Sequence, residues 1–216
     1  MNIVMLGPPG AGKGTYASRV NSKYGLTLID VGDIFRHEIG KKSEIGLKVK
    51  KFIKAGDLVP DELTIEVLKK RLSMIKNKGI IFDGFPRTIE EAKALDELMR
   101  ERGTQIDYVL FINTPKDVVV ERISGRRVCE NCGAIYHIPN LPPKMPGVCD
   151  KCGKALYQRD DDRPDVISER FDEYEKKTRS LINFYKKRKI LHEIDGTKDI
   201  GENLKQIATI LEEESE

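Results

Sequence analysis

A glycine-rich segment near the start of the chain constrains its fold most strongly. Residues 7–15 read GPPGAGKGT, which contains the pattern GxxxxGK and places a threonine two residues after the lysine. An apolar run at 2–6 precedes this segment, and a helical pattern follows it from Gly14 to Tyr24. A strand, a tight loop and a helix in this order are typical of a phosphate-binding loop, the P-loop, in an α/β protein. A glycine-rich turn that only joins strand to helix is the alternative.

The rest of the chain repeats the alternation of strand and helix. Four more short apolar runs are separated by helical segments of mixed charge, at 27–29, 79–82, 108–112 and 190–194. We therefore predict an α/β fold of the P-loop type, a five-stranded parallel sheet with helices on both faces. Ligands of such sheets bind beyond the carboxyl ends of the strands. Residues 31–60 and 123–160 break the alternation and are predicted to be inserted lobes.

Composition and charge argue against two kinds of partner, nucleic acids and membranes. The chain has 216 residues, with 38 Lys and Arg against 35 Asp and Glu, so a net charge of +3 does not indicate a nucleic-acid partner. No apolar run approaches the roughly 18 residues that would span a bilayer. Met1 leads directly into a predicted strand, which predicts a cytoplasmic protein with no membrane partner.

The P-loop residues define a predicted site for the phosphates of a nucleotide. Glycines allow backbone N–H groups to turn inward, and the start of the helix adds its positive end. Lys13 is predicted to contact the β- and γ-phosphates, and Thr15 to lie near Mg²⁺. Asp83, after a predicted buried strand, is either a second acid that supports Mg²⁺ or a cap of the next helix. The predicted ATP-binding residues of the loop are Gly10, Ala11, Gly12, Lys13, Gly14 and Thr15.

Four cysteines form two CxxC pairs, Cys129/Cys132 and Cys149/Cys152, with sixteen residues between the pairs. This spacing is typical of a tetrahedral zinc site. Four cysteines leave no open coordination position, so we predict one structural Zn²⁺ per chain. A redox disulfide pair and metal-free thiols are the alternatives. A nucleic-acid-binding zinc ribbon is less favoured, because Tyr136 and Tyr157 are the lobe's only aromatic residues.

Six motifs together give the chain a family resemblance. They are GPPGAGKGT, GDIFR at 32–36, AGDLVPDEL at 55–63, DGFPRT at 83–88, GRR at 125–127 and IDGTK at 194–198. In this order they resemble the adenylate kinases, within the nucleoside monophosphate kinases. The resemblance implies reversible transfer of the terminal phosphate of MgATP to AMP, giving two ADP, by a monomer.

The resemblance also implies a division of the chain and roles for its basic residues. A core of 1–30, 61–122 and 161–216 would carry a mobile monophosphate lobe, 31–60, and a mobile lid, 123–160. Taken singly, an arginine is more often a surface charge. The family pattern places two arginines at the acceptor phosphate, two at the lid hinge facing ATP and two at the transferring phosphate. The seven matched basic residues are Lys13, Arg36 and Arg87, Arg122 and Arg126, and Arg159 and Arg170, and all of them except Arg36 are predicted to be catalytic. The ATP-base contacts implied are Ile135, Tyr136 and Lys198.

The acceptor site departs from the family pattern at two positions. The implied AMP-binding residues are Val31, Arg36, Asp57, Leu58, Val59, Gly84, Phe85, Pro86, Arg87, Glu91, Arg159 and Arg170. The family usually has Thr at position 31 and Gln at position 91. An ionised Glu only accepts hydrogen bonds, whereas adenine N1 needs a donor and guanine offers two donors. AMP is the main prediction and GMP the alternative. A protonated Glu91, or backbone contacts from 56–59, would preserve the choice of adenine.

Asp161 and Asp162 have two interpretations. The resemblance implies that they seat the closed lid, and local sequence alone makes them the acidic first turn of a long helix. A second class of function, a slow nucleotide-dependent switch, would also use the P-loop. The six matched arginines argue against that class, since a switch usually leaves such charge to a partner.

Overall fold

The structure is a computed structural model that describes residues 1–76 and 79–213. Its centre is a five-stranded, fully parallel sheet with strand order β2-β3-β1-β4-β8. These strands are β1 (Asn2–Leu6), β2 (Thr27–Asp30), β3 (Ile80–Asp83), β4 (Tyr108–Asn113) and β8 (Leu191–Asp195). The five predicted strands are confirmed, within a residue or so at each end.

Helices cover both faces of this sheet, as predicted. They are α1 (Lys13–Tyr24), α2 (Val31–Gly40), α3 (Glu44–Ala55), α4 (Asp61–Ser73), α5 (Ile89–Glu101), α6 (Lys116–Ser124), α7 (Pro164–Glu173), α8 (Ser180–Lys186) and α9 (Ile200–Glu213). A 3₁₀ turn at Asp160–Asp162 precedes α7, and a π-helical turn at Tyr174–Thr178 joins α7 to α8. No helix in the described part of the chain is long and apolar enough to cross a membrane.

The alternation of side chains along β1 divides the core into two layers. Val4 and Leu6 face the larger layer, in which α2, α3, α4, α5 and α8 contribute apolar side chains. Ile3 and Met5 face the opposite layer, which α1 and α9 cover. All five residues of β1 are buried, as expected for the central strand of a parallel sheet. The loop after β1 therefore leaves the middle of a rigid platform.

A separate three-stranded antiparallel sheet holds the cysteines. Its strands are β5 (Arg126–Cys129), β6 (Ile135–His137) and β7 (Leu156–Tyr157), in the order β6-β5-β7. We call residues 126–157 the cysteine lobe. Its small core consists of Cys129, Tyr136 and Cys149, with a few partly buried neighbours. So small a core needs a further cross-link or metal to be stable.

Between β2 and α4, helices α2 and α3 form what we call the helical lobe, residues 31–55. Both helices are short, and no strand lies between them. Side-chain caps define where each begins: Asp30 accepts a hydrogen bond from the Asp33 N–H at 2.8 Å, and Ser43 from the Gly46 N–H at 3.1 Å. The exact domain limits remain predictions, and residues 77–78 and 214–216 of the predicted core lie outside the described residues.

Candidate active site

The loop between β1 and α1 has the backbone geometry of an anion site. Gly10 and Gly12 have φ of 77° and 92°, the left-handed region that favours glycine. A methyl group at Gly10 would also lie 2.5 Å from Ile123 Cγ1 in α6. Gly12 caps α1 and has no side chain, so no side chain occupies the first N–H groups of the helix. These N–H groups are available to phosphate oxygens.

Lys13 lies within the mouth of this loop. Its Nζ donates hydrogen bonds of 2.8 Å to the carbonyl oxygens of Gly7 and Pro8. Burial lowers the pKa of Lys13 to about 8, although the nearby carboxylate of Asp83 acts to raise it. A polyphosphate bound here would favour the charged ammonium group and meet it directly.

Asp83 ends β3 beside the start of α1. A methyl group built on Gly14 would lie 3.2 Å from Asp83 Oδ2, so this carboxylate is close to the loop that carries Thr15. Burial raises the pKa of Asp83 to about 6, and Asp30 adds to the shift. Hydroxyl and carboxylate oxygens are ligands that suit Mg²⁺. Thr15 and Asp83 are thus suitable residues to support a nucleotide-bound Mg²⁺. The alternative, that Asp83 caps the next helix, is wrong, because Thr88 is the cap.

A second cleft opens between the helical lobe and the end of β3. Most of the predicted acceptor residues line it. These are Val31, Arg36, Asp57, Leu58, Val59, Gly84, Arg87, Glu91 and Arg170. Three others lie elsewhere. Phe85 packs into the larger core layer, and Pro86 lines a neighbouring cleft together with Lys13. Arg159 lies beside Asp33 of the helical lobe. Phe85 is 1% exposed, so its side chain supports the cleft from behind.

Six of the seven basic residues that the family pattern matches are held in place by hydrogen bonds or ion pairs. Arg87 Nε donates to Gly84 O at 2.8 Å, which fixes its guanidinium group across the turn after β3. Burial lowers the pKa of Arg170 to about 10, and Arg159 Nε is buried without a hydrogen-bond partner among the described residues. Arg122 lies partly exposed in the last turn of α6. A bound anion would offset the burial of these cations.

Carboxylates hold four of the arginines. Asp33 accepts from Arg36 Nε at 3.0 Å and lies 3.3 Å from Arg159 NH2. The sequence reasoning missed Asp33, although the i, i+3 spacing to Arg36 predicts an ion pair on a helix. It also missed Gly32, Phe35, Ile53 and Thr64, which line the acceptor cleft.

Asp161 and Asp162 hold the other two of these arginines. Asp162 is fully buried and pairs with Arg126, whose Nε donates at 2.8 Å, and Asp161 lies 2.8 Å from Arg170 NH1. The prediction that they form the first turn of a helix is wrong, because they lie in the 3₁₀ turn before α7. They join the end of the cysteine lobe to α7, in agreement with a seating role.

Glu91 has a contact that its sequence position did not reveal. Its Oε2 accepts a 2.6 Å hydrogen bond from the Arg87 N–H, while Thr88 Oγ1 accepts from the Glu91 N–H at 3.1 Å. This reciprocal arrangement resembles a capping box, and the spacing Thr-x-x-Glu is its sequence signal. Burial raises the pKa of Glu91 to about 7. One carboxylate oxygen is therefore engaged, which disfavours bidentate recognition of guanine. Val31 is buried at the start of α2 and adds an apolar wall.

The predicted donor-base contacts divide between two places. A methyl group on Gly14 would lie 3.9 Å from Ile135 Cδ1, so Ile135 of the cysteine lobe lies over the P-loop. Its neighbour Tyr136 faces the opposite side of the strand and is buried, with Oη accepting from the Asp150 N–H at 2.8 Å. A contact from Tyr136 to the base would have to use its backbone. Lys198 is exposed after β8 and pairs with Glu202.

The four cysteine sulfurs converge as a metal site requires. All four Sγ atoms lie within 4.8 Å of one another, and the closest pairs are Cys129–Cys152 at 3.4 Å and Cys132–Cys149 at 3.6 Å. Sulfurs around a tetrahedral zinc with Zn–S bonds of about 2.3 Å are about 3.8 Å apart. A disulfide would need about 2.05 Å, and the four thiols are free. The donor set and its spacing fit a structural Zn²⁺.

A P-loop at the centre of a parallel sheet defines the chain as a P-loop nucleotide-binding protein, and the arginine-rich cleft beside it adds a second anion site. A family model described as adenylate kinase matches residues 5–190. The chain is 49% identical over 213 residues to an adenylate kinase of Archaeoglobus fulgidus, covering 98% of both chains. It is 48% identical to that of Thermosipho melanesiensis and 47% to that of Clostridium tetani, each over 212 residues, 98% of this chain and 98–99% of the relatives. The chain belongs to the adenylate kinase family.

Proposed function

We propose that this protein catalyses the reversible transfer of the γ-phosphate of MgATP to AMP, giving two ADP. The observation that carries the proposal is the set of cations between the P-loop and the second cleft. Lys13 contacts the loop, and Arg87 and Arg170 line both that cleft and the one beside Lys13. Phosphoryl transfer requires in-line positioning and compensation of negative charge more than covalent chemistry from the protein.

In this mechanism each cation has a position and a role. Arg36 and Arg87 hold the phosphate of AMP, and one of its oxygens attacks the γ-phosphorus as the bond to the β–γ bridging oxygen of ATP breaks. Lys13 and α1 bind the phosphates of the donor, and Arg122, Arg126, Arg159 and Arg170 compensate the charge of the transferred group. Mg²⁺, supported by Thr15 and Asp83, would neutralise charge on the donor phosphates.

The proposal extends to the lobes. Residues 31–60 would hold AMP, residues 123–160 would close over ATP and exclude water, and 1–30, 61–122 and 161–216 would form the core. The position of Ile135 over the P-loop supports a lid role. The active form is proposed to be a monomer, as the family resemblance implies. Four free thiols as metal ligands suit a reducing cytoplasm.

A coupled assay of ADP formation tests the proposal. With MgATP fixed, AMP should stimulate ADP formation far more than GMP, CMP or UMP. Arg170→Met should reduce kcat by at least about 100-fold, as expected for loss of a transition-state contact. Arg179→Met is the matched control, because Arg179 is exposed on the same helical segment and pairs only locally with Glu175. A preference for GMP, or equal rates with and without an acceptor, would contradict the proposal.

A further inference from the structure

A buried polar contact joins α1 to α9 inside an apolar layer. Tyr16 and Asn203 are 3% and 0% exposed, on the face of the sheet that these two helices cover. Asn203 Nδ2 donates to Tyr16 Oη at 3.0 Å and to the Asp195 carbonyl oxygen at 2.8 Å. Because a carbonyl oxygen only accepts, the amide nitrogen must face Asp195, and this fixes the orientation of the Asn203 side chain.

Each end of this contact touches a part of the nucleotide site. Tyr16 directly follows Thr15, and its ring lies 3.4 Å from a methyl group built on Gly12. Asp195 ends β8 and opens the loop at 195–198. Its carboxylate accepts from the N–H and the hydroxyl of Thr197 at 2.9 and 2.6 Å. A continuous path of packed groups and hydrogen bonds therefore runs from the P-loop to the 195–198 loop.

The far side of the 195–198 loop is also fixed. The Gly196 N–H donates to the Asn113 carbonyl oxygen at 2.7 Å, at the end of β4. A methyl group at Gly196 would overlap Thr114 Oγ1, so the loop lies directly against β4. In the sheet order, β4 and β8 lie on the opposite side of β1 from β2 and β3, where the acceptor cleft opens. The 195–198 loop thus lies on the donor side of the P-loop.

The chemistry of the contact indicates positioning more than stability. An amide in an apolar layer must be hydrogen-bonded to avoid a desolvation penalty, and an apolar residue of similar shape is often equally stable. Asn203 Oδ1 has no hydrogen-bond partner in the described part of the chain, so the burial of this amide is only partly compensated. The two hydrogen bonds of the amide instead hold α1 and the end of β8 in a fixed relative position.

We propose that Asn203, together with Tyr16, is a positioning residue that sets the 195–198 loop relative to the P-loop and so determines affinity for the base of the donor nucleotide. The inference rests on the proposed function and on the donor-base contact that the family resemblance implies for Lys198, the last residue of this loop. Asn203 is fully buried, so it would act through the loop and not by touching the nucleotide. Loss of the contact should weaken recognition of the nucleoside and leave recognition of the phosphates intact.

Binding measurements on the full chain test this inference. We would measure Kd for ATP and for inorganic tripolyphosphate, both with Mg²⁺, and the thermal midpoint of each variant. Asn203→Leu should weaken ATP binding roughly three- to tenfold, the scale of coupling through a packed network, and leave tripolyphosphate binding unchanged. Tyr16→Phe, which removes only the hydroxyl, should act in the same direction and add nothing in the Asn203→Leu background.

Gln206→Leu is the matched control, because Gln206 is another α9 amide that donates to the β8 backbone, at Glu193 O, away from the loop. It should change neither Kd. Equal weakening of both ligands, or a lower thermal midpoint with unchanged ATP affinity, would overturn the inference. If Asn203→Leu does not fold, Tyr16→Phe alone decides by the ratio of the two Kd values. Absence of phosphoryl transfer in the unmodified protein would contradict the proposed function, whereas this ratio tests the positioning separately.

Discussion

Glu91 combines two tasks that are usually separate. Its carboxyl group lines the acceptor cleft and also accepts the Arg87 N–H, while Thr88 Oγ1 donates to Asp61 Oδ2 at 2.8 Å. A protonated Glu91 keeps an acceptor for Arg87 and gains an O–H donor that suits adenine N1. With burial raising the pKa of this group to about 7, both forms are accessible near neutral pH. The departure from Gln at this position is therefore compatible with AMP as acceptor.

The raised pKa of Glu91 also predicts a pH dependence of stability. From pH 4.5 to 7 the folded protein keeps a proton that the unfolded chain has released, so the free energy of unfolding falls as pH rises through this window. Glu91→Gln still offers an oxygen to Arg87 but cannot titrate. The stability of Glu91→Gln relative to the unmodified protein should thus increase from pH 5 to 8, by at most about 3 kcal/mol.

Urea unfolding at pH 5, 6, 7 and 8 measures this difference. Glu90→Gln removes a carboxylate at the adjacent exposed position and serves as the matched control. Its stability curve should run parallel to that of the unmodified protein. A parallel curve for Glu91→Gln as well would show that Glu91 is ionised throughout this range.

The motifs identified the candidate phosphate-binding residues better than the residues that hold those side chains in place. Lys13, Arg36 and Arg87 were identified because their motifs reflect a constant ligand chemistry. Asp33 and Asn203 were not, since a carboxylate on a helix surface and an amide in an amphipathic helix have ordinary sequence surroundings. For Tyr136 the family pattern identified a position near the predicted donor base, but strand alternation directs its side chain toward Cys149 instead.

At the scale of elements, α2 and α3 of the helical lobe cross where one of them has no side chain. Gly46 is buried in the first turn of α3, and a methyl group there would overlap the Glu38 carbonyl oxygen of α2. Because backbone cannot yield as a flexible side chain does, this approach sets the angle between the two helices. Helix α2 carries Arg36, so the way α3 packs against α2 affects the position of Arg36 in the acceptor cleft.

We expect Gly46→Ala to destabilise the protein by about 1–3 kcal/mol through overpacking, although alanine is the better helix former. The KM for AMP should rise and the KM for ATP stay unchanged, as steady-state kinetics with each substrate varied would show. Gly40→Ala is the matched control, because Gly40 ends α2 with nothing within 4 Å of an added methyl group. It should be neutral or slightly stabilising. Unchanged stability in Gly46→Ala would mean that the helices separate at little cost.

Elements with a regular period were predictable, and elements defined by tertiary partners were not. Strands β1, β3 and β4 are nearly continuous apolar runs, which identify them directly, whereas β8 includes His192 and Glu193. The strands of the cysteine lobe are two to four residues long, and convergence of the thiols organises them more than side-chain pattern does. The π-helical turn at Tyr174–Thr178 likewise interrupts an otherwise helical sequence without a local signal.

At the scale of the whole molecule, the zinc site and the acceptor cleft lie in different parts of the structure. The residues that line the acceptor cleft come from outside 126–157, whereas Ile135 of the cysteine lobe lies over the P-loop. A change confined to the metal site should therefore affect ATP binding more than AMP binding.

Cys149→Ser should reduce bound zinc from one per chain, lower the thermal midpoint and raise the KM for ATP severalfold, with a smaller change in the KM for AMP. The reason is that loss of a ligand leaves the lobe with a core too small to order it. Metal analysis, thermal unfolding and kinetics on the same preparation provide the measurement. The unmodified protein treated with a chelator and then with excess Zn²⁺ is the control and should recover fully. An equal rise in both KM values would contradict a separate lid.

The pairing of β5 with β7 bears on how this protein can be cut and rejoined. Val128 is opposite Tyr157 and Cys129 opposite Leu156, so the chain leaves for the cysteine lobe and returns from it on adjacent strands. Opposed residues of antiparallel strands have Cα atoms only about 5 Å apart, a gap that a tight turn closes. The 26 residues from 130 to 155 are thus a removable cassette. A lobe of another size could be grafted at the same two positions without moving a strand of the parallel sheet.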